Sequence, residues 1–374
     1  MADYVLRCKS CNKTYGKDFR YFKCSCGGVL EVLIDVHTVK LVFEDRGGGI
    51  LRYRSLLPDL SGYVTLGEGR TPNISTSLSN LTLHFKLEYL NPTGSFKDRG
   101  SALAVSKAID LGVSEVLEDS SGNTGISISA YAARAGIRAR IYVPSDIPLG
   151  KYLLIKSFGA EVVKAGTRDE ASRRVLNDLS DNNYYIGHTW NPYFIEGTKT
   201  FAYEIYEELG KVDYVITPVA SGTLLLGIWK GFSELIDLGL VSSPPKLIGV
   251  QACGYDSLSK HLDNAIRPKC EGPTSLADAI RLTNAPRLPY MAEAIKKSGG
   301  FLVVVNDDEI INSLKELYRM GFAVEPTSAT AYAAFKLVKN ELSGNVVIPL
   351  TGSGLKYLGG IESPLYKVFI SGSA

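Results

Sequence analysis

The feature that most constrains this chain is an alternation of apolar, strand-like runs with helical stretches after residue 80. The strand-like runs are SEVLEDS (114–120), RARIYVPSD (138–146), AEVVKAG (160–166), VDYVITPVA (212–220), PKLIGVQA (245–252), GFLVVVND (300–307) and NVVIPLTG (345–352). Helical stretches such as GISISAYAARAG (125–136) lie between them. This alternation predicts parallel sheets covered by helices, which is an α/β fold. Active sites in such sheets lie in the loops that leave the carboxyl ends of the strands.

Length, charge and composition narrow the class of protein. The chain has 374 residues, enough for two domains of ordinary size, and its 45% hydrophobic and 21% charged residues are typical of a globular protein. The formal net charge is +2 and no basic run stands out, so we expect neither nucleic acid nor an anionic membrane as a partner. The sequence shows neither a signal peptide nor an apolar run of membrane-spanning length. These features predict a cytoplasmic, soluble protein.

The stretch NPTGSFKDRG (91–100) places a lysine at the start of a predicted helix. The preceding residues, LTLHFKLEYL (81–90), alternate like a strand, and Asn91–Gly94 has the composition of a turn. The positive end of the helix dipole, together with desolvation by Phe96, is expected to favour the neutral amine of Lys97. A neutral lysine amine can form a Schiff base with a carbonyl group. The alternative is a solvated lysine beside a carboxylate.

Three further loops rich in small polar residues connect predicted strands to helices. They are DSSGNTG (119–125), PVASGTLLLG (218–227) and PLTGSGLK (349–356). The first offers amides and hydroxyls at a helix N-terminus, which suits a carboxylate, and the second lets a phosphate approach the backbone closely. The second loop is not the G-x-G-x-x-G fingerprint of a dinucleotide site. Taken singly, each could be an ordinary capped loop.

Four of the six cysteines lie in the first 26 residues, and their spacing suggests a metal site. Two close thiol pairs separated by a short hairpin can converge on a tetrahedral zinc ion, and the predicted ligands are Cys8, Cys11, Cys24 and Cys26. The alternative is a metal-free or partly liganded remnant, because the second pair departs from C-x-x-C spacing. Cys253 and Cys270 have no close partner in the sequence, and we expect them to be buried or incidental.

Together these motifs resemble those of the fold-type II pyridoxal-phosphate enzymes, and most of all the threonine synthases. The resemblance covers almost the whole chain. It is carried by the cysteine ribbon, GEGRTP (67–72), NPTGSFKDRG (91–100), SSGNTG (120–125), NPYFIEGTKT (191–200), EPTSA (325–329) and TGSGLK (351–356). The resemblance implies pyridoxal 5'-phosphate as cofactor, a structural zinc ion as a possible second one, and an amino acid as substrate.

The same resemblance implies a role for each residue of the loops. Lys97 is expected to hold the cofactor and to act as the catalytic base, with Phe96 packed close to the cofactor ring. Asn123 is expected to bind the ring 3-hydroxyl and Thr351 the pyridine nitrogen. The residues expected at the cofactor phosphate are Ala220, Ser221, Gly222 and Thr223. The residues expected at the substrate α-carboxylate are Ser121, Gly122, Asn123 and Thr124.

The resemblance also implies an architecture like that of the tryptophan synthase β chain. It consists of two open α/β domains with parallel sheets and a small N-terminal segment resembling a zinc ribbon. The predicted boundaries are 1–32 for the cysteine ribbon, 33–97 with 188–374 for a large cofactor-binding domain, and 98–187 for a small mobile domain. A homodimer is the expected assembly.

The activity that the resemblance implies is conversion of O-phospho-L-homoserine and water to L-threonine and phosphate. Cationic side chains must then bind the substrate phosphate, and Arg281 and Arg287 are the candidates, with Lys151 as a substitute. Alternatives are a β-replacement enzyme acting on O-phosphoserine or O-acetylserine, a threonine or serine dehydratase, and a catalytically silent relative that binds an amino acid or a protein. His188 is expected to be a packed or capping residue rather than a general base.

Overall fold

The computed structural model describes residues 2–40, 42–44, 48–120, 122–274, 276–357 and 363–369. Its strands are β1 (Tyr4–Cys8), β2 (Thr14–Tyr15), β3 (Leu30–Ile34), β4 (Asn73–Leu78), β5 (Leu81–Lys86), β6 (Glu115–Glu118), β7 (Arg138–Val143), β8 (Glu161–Lys164), β9 (Asn183–Tyr185), β10 (Tyr214–Pro218), β11 (Lys246–Ala252), β12 (Ala265–Ile266), β13 (Phe301–Val305) and β14 (Gly344–Pro349). Its α-helices are α1 (Lys97–Asp110), α2 (Asn123–Ala135), α3 (Leu149–Ser157), α4 (Arg168–Asn177), α5 (Pro192–Thr198), α6 (Thr200–Leu209), α7 (Thr223–Asp237), α8 (Leu288–Lys297), α9 (Asp307–Arg319), α10 (Pro326–Val338) and α11 (Pro364–Phe369).

The first of two units comprises residues 1–70 and 91–200. It contains a small antiparallel sheet in the order β2-β1-β3 and a four-stranded parallel sheet in the order β8-β7-β6-β9. Helices α1 and α2 contribute Leu103 and Ile126 to one hydrophobic core with Ile141 of β7. Burial of these aliphatic side chains removes apolar surface from water and stabilises the unit.

The second unit comprises residues 71–90 and 201–374. Its seven-stranded sheet has the order β12-β13-β11-β10-β14-β5-β4, in which only β4 runs antiparallel to its neighbour. Strand β5 lies between β4 and β14 and pairs with both along its whole length. The core on this sheet includes Ile248, Val303, Leu314 and Phe335.

The predicted α/β fold with parallel sheets is confirmed. Strands β6, β11 and β13 are buried along most of their length, which is typical of parallel strands covered on both faces. Three of the polar loops leave the carboxyl ends of β6, β10 and β14, as expected. None of the helices in the described part of the chain combines the length and apolar character needed to cross a membrane. The predicted domain boundaries stay a prediction.

The expectation for the last two cysteines was wrong. Cys253 and Cys270 form a disulfide bond, with Cα atoms 5.7 Å apart. The two cysteines are separated by 17 positions, a spacing that carries no signal of proximity in the sequence. The bond closes the loop 253–270, which follows β11 and includes the short strand β12, and this loop closure restricts the unfolded chain.

Candidate active site

Lys97 is the first residue of helix α1, as predicted. The preceding turn is closed by a hydrogen bond from the Gly94 amide to the Asn91 carbonyl, 2.7 Å long, and Gly94 adopts a φ of 77° that favours glycine. The backbone amide of Lys97 donates to Ser95 Oγ at 3.3 Å. The turn therefore fixes the start of the helix, and with it the position from which the lysine side chain leaves the backbone.

Asp98 anchors this turn to helix α2. Its carboxylate is fully buried and accepts hydrogen bonds from the Thr93 amide at 2.7 Å and the Thr93 hydroxyl at 2.6 Å. It also accepts from the Ser127 hydroxyl of α2 at 2.5 Å. Bonds to a buried carboxylate are stronger than those between neutral groups, so Asp98 holds the turn and α2 in a fixed relation.

The lysine side chain lies among aromatic rings. Its Nζ atom lies 5.0 Å from the ring centroid of Phe96 and 5.7 Å from that of Phe194, which is fully buried on α5. Helices α1 and α5 approach closely because Gly100 has no side chain: a Cβ there would lie 2.2 Å from the Phe194 ring. Gly197 allows the same approach from α5, since its Cβ would lie 1.9 Å from the Arg99 carbonyl oxygen.

The N-terminus of α2 is the predicted anion site, and its role stays a prediction. The cap residue Gly122 offers no side-chain hydrogen bond to the first turn, and this turn contains no acidic residue. Asn123 and Thr124 are buried at this end, with 8% and 2% exposure. The loop is tight, because a Cβ at Gly125 would lie 2.0 Å from the Ser120 carbonyl oxygen. Amides at a helix start bind carboxylates and phosphates favourably. Ser121 lies outside the described residues.

A buried acid, Glu118, ends strand β6, and a histidine, His188, follows the neighbouring strand β9. Glu118 has no exposed side-chain surface, and its Oε1 atom lies 2.9 Å from His188 Nδ1. Burial and the nearby Asp119 carboxylate raise the pKa of Glu118, while Lys97 opposes this shift. Burial, with repulsion from Lys97 and Arg168, lowers the pKa of His188. Sequence reasoning missed this pair, because its members lie 70 positions apart.

In the second unit, the loop between β10 and α7 has the form predicted for a phosphate site. Gly222 adopts a φ of 79°, and a Cβ there would lie 2.0 Å from Met291 Sδ. Ser221 is buried, and Thr223 begins the 15-residue helix α7. The cap position offers no side-chain hydrogen bond, and the first turn of α7 contains no acidic residue. Ala220 completes the loop and is partly exposed. These amides suit a phosphate group.

Thr351 follows strand β14 and is buried, with 3% exposure. Its hydroxyl oxygen lies 3.1 Å from that of Ser328, which is fully buried at the start of α10. The Gly352 amide donates to the Ser328 hydroxyl at 2.9 Å. Ser328 thus fixes the loop and orients the Thr351 hydroxyl. Sequence reasoning assigned no role to Ser328, although it lies in the EPTSA motif (325–329).

The two candidate arginines lie in the second unit, before and at the start of α8. Arg287 is the residue before α8 and has only 1% exposure. Arg281 is partly buried and follows a short turn that contains Asp278. Asp278 accepts a hydrogen bond from the Tyr357 hydroxyl at 2.7 Å. The assignment of either arginine to a substrate phosphate stays a prediction.

The four N-terminal cysteines converge, as the sequence predicts. Their Sγ atoms all lie within 4.8 Å of one another. The distances are 3.5 Å between Cys8 and Cys26 and 3.6 Å between Cys11 and Cys24. Four thiolates around a tetrahedral zinc ion at about 2.3 Å lie about 3.8 Å apart, so the geometry fits this ion. Strands β1 to β3 carry the cluster.

Comparison with known proteins identifies the family. A family model described as pyridoxal-phosphate dependent enzyme matches residues 64–352. The threonine synthase of Methanocaldococcus jannaschii is 37% identical, over 94% of this chain and 93% of that protein. The threonine synthase of Methanosarcina acetivorans is 36% identical, over 94% and 92%. The chain therefore belongs to the pyridoxal-phosphate dependent enzymes and, within them, to the threonine synthase family.

Solved structures confirm the fold. A cysteine synthase from Entamoeba histolytica is 23% identical, with a TM-score of 0.67 over 80% of this chain and 88% of that chain. An O-acetylserine dependent cystathionine beta-synthase from Helicobacter pylori, also 23% identical, has a TM-score of 0.66 over 79% and 96%. At this identity the likeness shows the fold alone, which is fold-type II.

Pyridoxal phosphate is the cofactor of this family, and the described residues fit it. The fit rests on the lysine at the start of α1 and on the buried Thr351 hydroxyl. It also rests on the N-termini of α2 and α7, which lack both acidic residues in the first turn and a side-chain cap. Each of these features matches a part of the cofactor or substrate that carries charge or a hydrogen-bonding atom.

Proposed function

We propose that the chain converts O-phospho-L-homoserine and water to L-threonine and inorganic phosphate. The observation that carries this proposal is the similarity over nearly the whole chain to two archaeal threonine synthases. The β-replacement and dehydratase alternatives share the same lysine and anion loops, but their support is weaker, because the two relatives named threonine synthase match over 94% of this chain and over 93% and 92% of their own lengths.

Bound pyridoxal phosphate supplies a carbonyl group for the substrate amine and an electron sink for charge at the substrate Cα. In our proposal Lys97 takes protons from Cα and Cβ, and the phosphate leaves from Cγ. Cγ then gains a proton, water adds its oxygen at Cβ, and a proton returns to Cα. The amides and side chains of Gly122, Asn123 and Thr124, with Ser121, bind the α-carboxylate. Phe96 packs on the ring.

The remaining predicted roles belong to the second unit. We propose that the amides of Ala220, Ser221, Gly222 and Thr223 hold the cofactor phosphate. The Thr351 hydroxyl meets the pyridine nitrogen, where a neutral hydroxyl does not enforce a protonated ring. Arg281 or Arg287 binds the substrate phosphate, since a guanidinium can bond two phosphate oxygens at once. In the first unit, Asn123 bonds the ring 3-hydroxyl as well as the substrate.

The test is release of inorganic phosphate from O-phospho-L-homoserine by the cofactor-loaded protein, with identification of the amino-acid product. Equal amounts of phosphate and threonine are the expected result. Formation of ammonia and a 2-keto acid from threonine or serine, without release of phosphate, would favour the dehydratase. Cysteine formed from O-phosphoserine or O-acetylserine and sulfide would favour the β-replacement enzyme.

We further propose that the cysteine cluster holds a structural zinc ion. The support is the convergence of four thiols within 4.8 Å on a small antiparallel sheet. Four protein ligands would leave no coordination position for substrate, so a structural role follows. About one zinc per chain by elemental analysis is the expected result.

We propose a homodimer that acts in the cytoplasm, as the family resemblance suggests. The proposed substrate is a charged phosphate ester, which does not cross a bilayer unaided, and this supports a cytoplasmic location. Light scattering should give twice the mass of the chain. We also propose that residues 98–187 form a small mobile domain, supported by the separate sheet that β6–β9 form within this range. Slower hydrogen exchange of this range with substrate bound is the expected result.

A further inference from the structure

The pair formed by Glu118 and His188 has no part in the function proposed above. Both oxygens of Glu118 are held by the same residue: Oε1 lies 2.9 Å from His188 Nδ1, and Oε2 accepts the His188 backbone amide at 3.2 Å. The Glu118 side chain has no exposed surface, and that of His188 is 17% exposed. A carboxyl group buried in this way needs a specific reason to be retained, because burial disfavours its charge.

Lys97 and His188 lie around the same aromatic ring. The His188 ring centroid lies 5.8 Å from that of Phe194, and Lys97 Nζ lies 5.7 Å from the Phe194 centroid. Phe194 is fully buried, so its ring has no contact with solvent. Glu118, His188, Phe194 and Lys97 thus form one cluster within the first unit.

We propose that Glu118 is the counter-charge of the Lys97 ammonium group, and that His188 is the hydrogen-bond donor that orients this carboxylate and favours its ionised form. Glu118 and His188 are then positioning residues, which act on the reaction through Lys97.

Opposing influences act on the charge of Glu118. Burial and repulsion from Asp119 raise the pKa of Glu118 well above its usual range, and Lys97 and the His188 amide act in the opposite direction. The pKa of His188 is lowered by burial and by the positive charges of Lys97 and Arg168, so a neutral imidazole that donates from Nδ1 is favoured. The groups that face Asp119 are the hydroxyls of Tyr185 and Ser172. Glu118 therefore ionises most readily when Lys97 carries its charge.

This coupling has a consequence for the lysine. In the proposed function Lys97 must accept a proton and later return it. The positive end of the helix dipole disfavours an ammonium group at the start of α1, and a nearby buried carboxylate offsets this cost. Because the attraction acts on both partners, loss of the Glu118 charge should make Lys97 lose its proton at lower pH.

The inference rests on the proposed role of Lys97, and its test reads the charge of Lys97 without turnover. The full chain, with cofactor removed, is labelled briefly with acetic anhydride at pH 6–10, and acetylation of Lys97 is quantified by peptide mass spectrometry. Glu118→Gln and His188→Ala are compared with two controls. His188→Asn places an amide donor near the Nδ1 position, and Glu115→Gln removes a carboxylate from the other end of β6.

Glu118→Gln should lower the pH of half-maximal labelling of Lys97 by about one unit. Below this midpoint, acetylation of Lys97 should then be about tenfold faster than in the parent protein. His188→Ala should shift it in the same direction, whereas both controls should stay close to the parent protein. An unchanged midpoint in folded Glu118→Gln would overturn the inference, even if phosphate release were impaired. Should Glu118→Gln fail to fold, equal midpoints in His188→Ala and His188→Asn would overturn it. Thermal unfolding reports folding, and phosphate release from the parent protein tests the proposed function separately.

Discussion

The close approach of α1 and α5 predicts how much a larger residue at position 100 should reduce stability. In Gly100→Ala the new Cβ would lie 2.2 and 2.3 Å from two carbons of the Phe194 ring, whereas carbon atoms in contact normally lie about 3.5 Å apart. The ring or the helix must move by more than about 1 Å inside a packed core. We assign a cost of about 3 kcal/mol, the upper part of the range for overpacking.

Alanine also favours the helix over glycine by about 1 kcal/mol, so the net loss for Gly100→Ala is about 2 kcal/mol. For a unit of this size the corresponding fall in the thermal unfolding midpoint is about 4–8 °C. In a Phe194→Ala background the ring is absent and only the helix preference remains. The same substitution should then raise the midpoint by about 2–4 °C.

The assay is thermal unfolding of the four proteins of this double-mutant cycle, followed by circular dichroism. The reasoning predicts a change of sign between the two backgrounds. If Gly100→Ala lowered the midpoint equally with and without the Phe194 ring, the close contact of α1 and α5 would not be its cause. The description of the surroundings of Lys97 would then be wrong.

Three further predictions concern the lysine, the cysteines and a second buried acid. Lys97→Ala should abolish phosphate release from O-phospho-L-homoserine while leaving the circular dichroism spectrum unchanged; residual turnover above background would contradict the proposed role. Cys11→Ser should lose zinc and lower the unfolding midpoint, whereas Cys253→Ser should keep its zinc by elemental analysis. Burial raises the pKa of Glu68, so above pH 4.5 the folded protein keeps a proton that the unfolded chain releases. The stability that depends on this proton is lost as the pH rises. Relative to Glu68→Gln, the parent protein should lose up to about 1.4 kcal/mol per pH unit above pH 4.5, measured by unfolding; parallel pH profiles would refute this.

Local sequence signals predicted the elements that depend on neighbouring residues. The turn before Lys97 and the helix that begins there follow from turn residues and apolar spacing within 20 positions, and the loops after β6, β10 and β14 follow from strand ends. The α/β fold was predicted correctly from the alternation of strand-like and helical runs, whereas the family and the cofactor were predicted correctly from the resemblance of the motifs to known enzymes.

Pairings between distant residues could not be predicted in this way. The Cys253–Cys270 bond, the contact of Ser328 with Thr351 and the Glu118–His188 pair join positions 17, 23 and 70 residues apart. Such contacts are set by how helices and strands pack, and each partner alone has an ordinary local environment. Lys97, Asn123 and Thr223 begin helices and Thr351 follows a strand, as expected, and the roles of all the predicted site residues stay predictions.

The placement of β5 has a consequence for how the chain is made. This strand pairs with β14, whose residues follow it by 263 positions, as in the pair Leu81 and Gly344. At about 5–20 residues per second, a ribosome needs on the order of tens of seconds to synthesise the intervening chain. During this time the hairpin of β4 and β5 has one edge unpaired, which is the state in which strands associate with other chains. The molecule is therefore expected to depend on chaperones during synthesis more than a chain of the same length in which neighbouring strands are consecutive.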